Sequence, residues 1–211
     1  MKKLSQKQIK KNIVIDLDGT LLDSSRRHIV LLREILKSQK IKLNIKDYLS
    51  YKRTGRSTKD YLVSKGLNIN TTNEICKKWV KNIENIKLLK LDKLYKDSKE
   101  FLEKYYRKYN LILITGRSNK KNTKAQISEL NINKFFKKIE IIKPTKDISE
   151  KKTKLTQKYK CFAIIGDTET EKNVSDNLKI KFYPISRGFR SKEYWSDLNI
   201  IPYSSLKEIN L

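Results

Sequence analysis

Cysteine, histidine and long apolar stretches are scarce in this sequence of 211 residues. The two cysteines, Cys76 and Cys161, are too few for a disulfide framework, and we expect a reducing, cytoplasmic setting. With only one histidine, His28, the chain offers no His and Cys cluster for zinc. No stretch approaches the roughly 20 apolar residues that span a bilayer, and residues 1–6 turn polar before the apolar region of a signal peptide could form. We therefore expect no membrane partner.

Acidic residues are also scarce, since 23 Asp and Glu stand against 49 Lys and Arg and give a formal net charge of +26. The lysines are spread from end to end among Asn, Ile and Tyr, which is typical of an AT-biased coding sequence. Their densest clusters are short and are not interleaved with aromatic residues, as a platform for single-stranded nucleic acid would be. A nucleic-acid partner is therefore left open but not favoured, and the positive field should attract phosphorylated substrates.

No linker rich in Pro, Gly or Ser divides the chain, and its 37% of hydrophobic residues can bury a core. Short apolar runs alternate with helical patterns in the second half, which predicts βαβ units and a parallel sheet in an α/β fold. The predicted strands are 13–16, 111–115, 139–142, 162–166 and 181–185, and the predicted helices are 98–108, 121–130, 147–159 and 170–178.

The segment from residue 21 to about residue 95 is an exception, because its pattern is almost wholly helical. It lies between the first two predicted strands and is too long for an ordinary crossover. This predicts a helical unit inserted into the α/β domain. We place the α/β core at residues 1–22 and 95–211, and the inserted unit at residues 23–94.

Acidic side chains follow the first predicted strand, where Asp16 and Asp18 flank Leu17 and precede Gly19-Thr20. In open α/β sheets ligands bind at this end of the strands. Two like charges held there are explained by a Mg²⁺ ion and a phosphate.

Two later strands end in a similar way. The run 111–114 is followed by Thr115-Gly116-Arg117, and the run 162–165 by Gly166-Asp167-Thr168. Together with the segment around Asp16, and in the same order, these resemble the first, second and fourth motifs of the haloacid dehalogenase-like (HAD) phosphatases. Residues 183–191 are similar to the segment that follows the fourth motif in the phosphoglycolate phosphatase-like group. This resemblance implies a HAD-type, Rossmann-like three-layer α/β/α core with a helical cap.

The resemblance also implies roles in phosphoryl transfer through an aspartyl-phosphate. Asp16 would be the nucleophile and Asp18 the general acid and base, and one of the two must stay ionised while the other donates a proton. Thr115 and Gly116 would hold the phosphate at a helix N-terminus. Lys152 would neutralise the charge that develops in the transition state.

For the cofactor, the resemblance implies Mg²⁺ held by Asp16, by the backbone carbonyl of Asp18 and by Asp167. Where the family usually has a second Asp after this third ligand, this chain has Glu171, and Glu169 is a rival for the same supporting role.

Other assignments stay open in the sequence. Lys151 and Lys143 compete with Lys152 for the lysine of the third motif. Arg56, or its neighbour Arg53, would bind a second anionic group of the substrate from the cap. The single histidine, His28, is interpreted as a cap residue and not as a metal ligand.

We therefore expect a Mg²⁺-dependent phosphatase that acts on a small phosphorylated metabolite, with its oligomeric state left open. A first alternative is a nucleotidase or a phosphatase acting on nucleic-acid ends. A second is a catalytically silent binding protein with the same fold, and a phosphomutase would use the same Asp16 and Asp18 pair. The intact pair disfavours the silent protein.

Overall fold

The computed structural model describes residues 10–211, so residues 1–6, on which the expectation about a signal peptide rests, lie outside the described residues. In the described chain the strands are β1 (Asn12–Ile15), β2 (Leu22–Asp23), β3 (Lys93–Leu94), β4 (Asn110–Gly116), β5 (Phe136–Ile142), β6 (Cys161–Gly166) and β7 (Lys181–Pro184). The helices are α1 (Ser25–Lys37), α2 (Ile45–Arg53), α3 (Thr58–Ser64), α4 (Ile69–Asn82), α5 (Ile86–Leu89), α6 (Ser98–Tyr105), α7 (Lys120–Glu129), α8 (Ile148–Lys158), α9 (Glu169–Leu178) and α10 (Lys192–Asp197). None of these helices has the length and apolar character needed to cross a membrane.

Five parallel strands form the main sheet in the order β5-β4-β1-β6-β7, which confirms the predicted α/β class. Each predicted strand is present with small changes at its ends. The largest change is in β5, which begins at Phe136 instead of residue 139. Its extra residues include the exposed Lys137 and Lys138, which an edge strand tolerates and which interrupt the apolar pattern in the sequence.

The sheet is buried on both faces because successive side chains of a strand point to opposite sides. In β1, Ile13 and Ile15 join an apolar cluster that includes Phe101 of α6 and Ile127 of α7. The residue between them, Val14, joins a separate cluster on the other face, with Val174 of α9. Helices therefore flank the sheet on both sides, and β1 lies at its centre.

The five helices between Ser25 and Leu89 pack around an apolar cluster of their own. Its fully or nearly fully buried members include Leu32, Tyr48, Leu62 and Ile75. The chain enters and leaves this helical unit through β2 and β3, which pair antiparallel with Asp23 opposite Lys93. Two-residue strands are too short for a periodic signal, so the sequence did not predict them. The division into 1–22 and 95–211 against 23–94 stays a prediction.

Because the helical unit has its own buried apolar cluster, truncation of a side chain in that cluster should lower the free energy of unfolding substantially. We expect Leu32→Ala to lower the free energy of unfolding by about 2–5 kcal/mol, because the Leu32 side chain is fully buried. Urea denaturation of the purified protein measures this change. Ile201→Ala is the control, since Ile201 is 91% exposed and its loss should stay within about 0.5 kcal/mol. Equal effects of the two variants would contradict the described packing.

Candidate active site

Three of the predicted site residues follow strands that are neighbours in the sheet. Ile15 of β1 pairs with Leu113 of β4 on one side and with Ile165 of β6 on the other. Asp16 comes directly after Ile15, and Thr115 and Asp167 each lie two residues beyond those partners. The carboxyl ends of these parallel strands therefore bring the three residues to the same edge, where connections on the two sides of β1 diverge.

The carboxylate of Asp16 is in direct contact with a buried lysine. Lys152, from α8, donates from its Nζ to Asp16 Oδ1 at 2.6 Å, and the Lys152 side chain is 3% exposed. The same ammonium group donates to Glu171 of α9. One cation from α8 thus lies between two carboxylates from different elements.

Burial and charge act on these groups in opposite directions. Burial raises the pKa of Asp16 to about 7, although the Lys152 cation lowers it. Burial lowers the pKa of Lys152, but Asp16 and Glu171 outweigh that effect and raise it above its usual value. The lysine is therefore fully charged at neutral pH.

Asp167, after β6, is fully buried beside Asp16. Its Oδ2 accepts a hydrogen bond from the backbone N–H of Phe189 at 2.7 Å, whereas its Oδ1 has no hydrogen-bond partner among residues 10–211. Burial and the neighbouring Asp16 raise its pKa well above the usual range. Gly19 and Gly188 pack against it so closely that a Cβ at either position would lie 2.0 or 2.1 Å from Oδ2.

This arrangement fits a small divalent cation. Two buried carboxylates lie side by side, and one oxygen of Asp167 lacks a partner, as expected for a ligand of Mg²⁺. Across the described chain, no group of three or more His, Cys, Asp or Glu side chains could hold a metal by itself. Other ligands would therefore have to come from the backbone, the substrate or water, and the family resemblance assigns the backbone carbonyl of Asp18.

The carboxylate of Asp18 points to two arginines. Arg117 donates to it with two groups, from Nε to Oδ2 at 2.6 Å and from Nη2 to Oδ1 at 2.7 Å. Arg27 of α1 donates from Nη2 to Oδ1 at 2.7 Å. Burial raises the pKa of Asp18, but the Arg117 and Arg27 cations outweigh it and hold the pKa well below its usual range.

The surroundings of the two aspartates shift their pKa values in opposite directions, and the roles that the sequence assigns to them stay predictions. The expected proton donor, Asp18, has the lowered pKa, and the expected nucleophile, Asp16, has the raised one. The physical reason is the number of cations, since Asp18 contacts two guanidinium groups while Asp16 shares one ammonium group with Glu171.

Thr115 and Gly116 end β4 at the same edge. Thr115 is buried, and Gly116 packs on α8, where a Cβ would lie 2.5 Å from Ile148 Cδ1. The chain then leads into α7, and the backbone N–H groups of Ser118 and Asn119, just before this helix begins, donate to the carboxylate of Glu84. The role of Thr115 and Gly116 in phosphate binding stays a prediction.

A cavity of about 430 Å³ lies between the helical unit and the sheet, and Gly19 and Gly188 form part of its wall. Arg53 lines it, whereas the predicted Arg56 is exposed outside it and stacks on the ring of Tyr51. The two arginines separate because Arg53 ends α2, and the chain then turns at Gly55, which has a positive φ.

The cavity wall is rich in cations. Lys46, Lys52, Arg53 and Arg187 line it together with one acidic residue, Asp23. Arg187 is paired with Asp97, but neither Lys52 nor Arg53 forms a salt bridge to any acidic group within residues 10–211. Burial and the nearby Arg190 lower the pKa of Lys52 to about 8.

The structure distinguishes the alternatives that the sequence leaves open. Of the three candidate lysines, Lys152 reaches Asp16, whereas Lys151 pairs with Asp147 near the surface and Lys143 is exposed. A helical spacing could have favoured Lys152, because it shares the buried side of α8 with Thr156, four residues later.

The two glutamates and the histidine have separate partners. Glu171 contacts Lys152 and accepts from Thr168 Oγ1 at 2.7 Å, whereas Glu169 forms a bidentate pair with Arg190 at 2.6 Å. Neither glutamate hydrogen-bonds to Asp167. His28 packs between the rings of Trp79 and Phe189, at centroid distances of 5.1 and 4.8 Å.

Three residues around Asp18 were not predicted from the sequence, namely Arg27, Asp92 and Arg117. Arg117 directly follows Thr115-Gly116, and that position was the available signal. Arg27 and Asp92 lie far apart in sequence on the two sides of the helical unit, and no spacing rule connects them.

Sequence comparison finds a family model for this chain. The model of the family described as haloacid dehalogenase-like hydrolase matches residues 13–185. No curated protein sequence matches the chain significantly.

Several solved structures are similar in fold. A haloacid dehalogenase-like family hydrolase from Streptococcus pneumoniae is 19% identical with a TM-score of 0.73, and the match covers 90% of this chain and 91% of that one. A provisionally assigned phosphatase from Clostridium difficile is 20% identical with a TM-score of 0.77 and coverage of 97% and 100%. A predicted phosphoglycolate phosphatase from Haemophilus somnus is 17% identical, with a TM-score of 0.64 and coverage of 86% and 87%. At these identities the likeness shows the fold.

Removal of the buried ammonium group should destabilise the protein. We expect Lys152→Met to lower the free energy of unfolding by about 3–5 kcal/mol, because Asp16 and Glu171 would stay buried without their cation. Lys151→Met is the matched control, since its half-exposed pair with Asp147 contributes at most about 1 kcal/mol. Urea denaturation at pH 8 measures both variants. If Lys152→Met and Lys151→Met lower the free energy of unfolding equally, the described contact of Lys152 with Asp16 and Glu171 is wrong.

Proposed function

The chain belongs to the haloacid dehalogenase-like hydrolase family, and on that premise we propose that it hydrolyses small phosphomonoesters with Mg²⁺ as its cofactor. The observation that carries the proposal is the buried contact between Lys152 and Asp16 at the carboxyl end of the central strand. Phosphoryl transfer through a carboxylate needs a nucleophile and a fixed cation beside the phosphoryl oxygens. Asp16 and Lys152 supply both groups in one place.

In the proposed reaction an oxygen of Asp16 bonds to phosphorus while the bond between phosphorus and the leaving oxygen breaks. Asp18 would give a proton to the departing alcohol, which requires its lowered pKa to rise when the substrate binds, and would later take a proton from the attacking water. That water bonds to phosphorus, the bond between phosphorus and Asp16 breaks, and inorganic phosphate leaves. Lys152 neutralises negative charge in both steps, and Thr115 and Gly116 contact the phosphate.

Asp16, Asp167 and the backbone carbonyl of Asp18 would hold the Mg²⁺ ion. When bound, it supplies positive charge to the phosphoryl oxygens and to the two carboxylates. The unpartnered oxygen of Asp167 and the raised pKa of its carboxyl group support this assignment.

The cavity favours a leaving group that carries its own negative charge. Lys52 and Arg53 have no acidic partners in the described residues and face the same space as Gly19 and Gly188, which pack on Asp167. A volume of about 430 Å³ suits a small metabolite. We therefore propose a phosphorylated substrate with a second anionic group, such as a carboxylate, as in phosphoglycolate.

A nucleotidase, or a phosphatase for nucleic-acid ends, is the second candidate, and the net charge of +26 is the observation in its favour. A phosphomutase would share the Asp16 and Asp18 pair. The silent binding protein is disfavoured, because a buried Lys152, Asp16 and Asp167 cluster is costly to keep without a function.

The proposal predicts that Asp16→Asn abolishes turnover, since an amide is a poor nucleophile. We expect phosphate release to fall roughly 10⁴-fold or more, with an unchanged circular dichroism spectrum. The assay is phosphate release from phosphoglycolate, sugar phosphates, nucleotides and a 3′-phosphorylated oligonucleotide. Asp176→Asn is the matched control, because Asp176 is an exposed aspartate of α9. Wild-type turnover in Asp16→Asn would remove Asp16 from the mechanism, and a clear preference for the oligonucleotide would favour the second candidate.

Metal binding should be visible without any turnover. At a Mg²⁺ concentration about 100 times its Kd, we expect the melting temperature to rise by about 5 °C or more. The shift should vanish in Asp167→Asn and persist in Asp176→Asn. Potassium chloride at equal ionic strength controls for screening of the large positive charge.

In parallel, EDTA should stop phosphate release and Mg²⁺ should restore it. Full activity after rigorous metal removal would reject the metal assignment.

A further inference from the structure

The carboxylate of Asp18 is held from two sides, by the sheet and by the helical unit. Arg117 comes directly after β4 and contacts both carboxylate oxygens, while Arg27 comes from the first turn of α1 and contacts Oδ1. Both guanidinium groups are buried, with side-chain exposures of 3% and 2%. A bidentate guanidinium contact fixes the plane of a carboxylate as well as its distance.

The two arginines are held in turn by one acidic residue. Asp92 has a fully buried side chain, with Oδ1 at 3.2 Å from Arg27 Nε and Oδ2 at 3.6 Å from Arg117 Nη2. Gln126 of α7 donates to Asp92 Oδ2 at 2.8 Å and to the carbonyl of Leu89 at 2.8 Å. The guanidinium groups thus face a common buried anion on the side away from Asp18, through ion-pair contacts and not hydrogen bonds, and Gln126 holds that anion in place.

The location of this network connects it to the proposed chemistry. Arg27 lies in the first helix of the helical unit, shortly after β2, and Asp92 lies just before β3, while Arg117 follows Thr115 and Gly116 at the end of β4. The orientation of Asp18 thus depends on how the helical unit sits against the sheet.

We propose that Arg117 and Arg27, anchored by Asp92, are positioning residues that set the direction of the Asp18 carboxylate for proton transfer. This inference rests on the proposed function, because it assigns Asp18 the acid and base steps. None of the three positioning residues has to touch the substrate. A carboxylate that is free to rotate would serve proton transfer poorly, and misplacement of a reacting group by about 1 Å can cost 10²-fold in rate.

Two substrates separate the proton-transfer steps from the attack by Asp16. An alkyl phosphate needs a proton for its leaving group, whereas p-nitrophenyl phosphate releases a stable nitrophenolate without one. The first turnover of p-nitrophenyl phosphate therefore depends on Asp16 but not on Asp18, and the following hydrolysis of the aspartyl-phosphate depends on Asp18 as base.

In Arg117→Lys we expect kcat for the alkyl phosphate to fall about 10-fold or more, because a lysine cannot make the bidentate contact. The rate of the first nitrophenolate burst should stay within about 3-fold of wild type, while its steady-state rate falls. Asp18→Asn should show the same pattern and serves as the reference. Asp92→Asn keeps the shape of the Asp92 side chain, and we expect it to slow alkyl phosphate turnover less than Arg117→Lys while the burst rate stays close to wild type. Circular dichroism verifies the folding of each variant.

Arg190→Lys is the control, because it weakens another bidentate pair, between the buried Arg190 and the partly exposed Glu169, that does not contact Asp18. It should leave the ratio of the burst rate to the alkyl turnover unchanged. If the nitrophenolate burst rate and the alkyl phosphate turnover fall together in Arg117→Lys and Asp92→Asn, these residues have a merely structural role and the inference is overturned. A gain in alkyl phosphate turnover would overturn it as well. Failure of the proposed function looks different, since the wild-type protein would then release neither nitrophenolate nor phosphate.

Discussion

Lys152 brings a positive charge from α8 into contact with two buried carboxylates, Asp16 after β1 and Glu171 in α9. Removing three charged groups from water is costly, and their attraction offsets the cost only when the contacts are close. The central strand and the two helices must therefore pack in one register for the charges to meet. The apolar cluster that joins Val14 to Val174 and Leu155 on the same face of the sheet maintains that register. The packing of this part of the core therefore also determines the geometry of the charged groups in the site.

A second constraint is the crowding of negative charge in a protein with an excess of positive charge. Asp16, Asp167 and Glu171 are buried near one another, although the whole chain carries a net charge of +26. Two of these acidic residues, Asp16 and Glu171, hold the buried ammonium group of Lys152, whereas most of the lysines are exposed. The cations that face the cavity, Lys52 and Arg53, and the acids of the strand ends lie on different sides of Gly19 and Gly188. This separation of charge suits the proposed substrate, an anion whose phosphate would meet a Mg²⁺ ion.

Much of the fold and part of the site could be predicted because the signals are local. Asp16, Thr115 and Asp167 each follow a continuous apolar run, and parallel strands bring such ends together whatever the loops do. The choice between Lys151 and Lys152, or between Arg53 and Arg56, depends on the direction of neighbouring side chains at a helix. A difference of one residue changes that direction on α8, whereas Arg53 and Arg56 separate because α2 ends at Arg53 and the chain turns at Gly55.

The parts that could not be predicted depend on contacts between distant segments. Arg27 and Asp92 meet only because the chain returns beside its own starting point after five helices, and the pair β2 and β3 that marks this return is too short to detect. The opposite pKa shifts of Asp16 and Asp18 have the same origin, because the cations beside these two residues come from α1, from α8 and from the end of β4. The sequence indicated the carboxylates and Lys152, but not the two arginines that contact Asp18.

The antiparallel pair of β2 and β3 has a consequence for the architecture of the chain. Since Asp23 is directly opposite Lys93, a two-residue hairpin turn could join these residues and omit everything between them. The sheet would keep its strand order, because all five of its strands lie outside the omitted segment. The five helices from α1 to α5 thus leave and rejoin the rest of the chain at one place, so the length of this segment can change without a change in the strand order of the sheet.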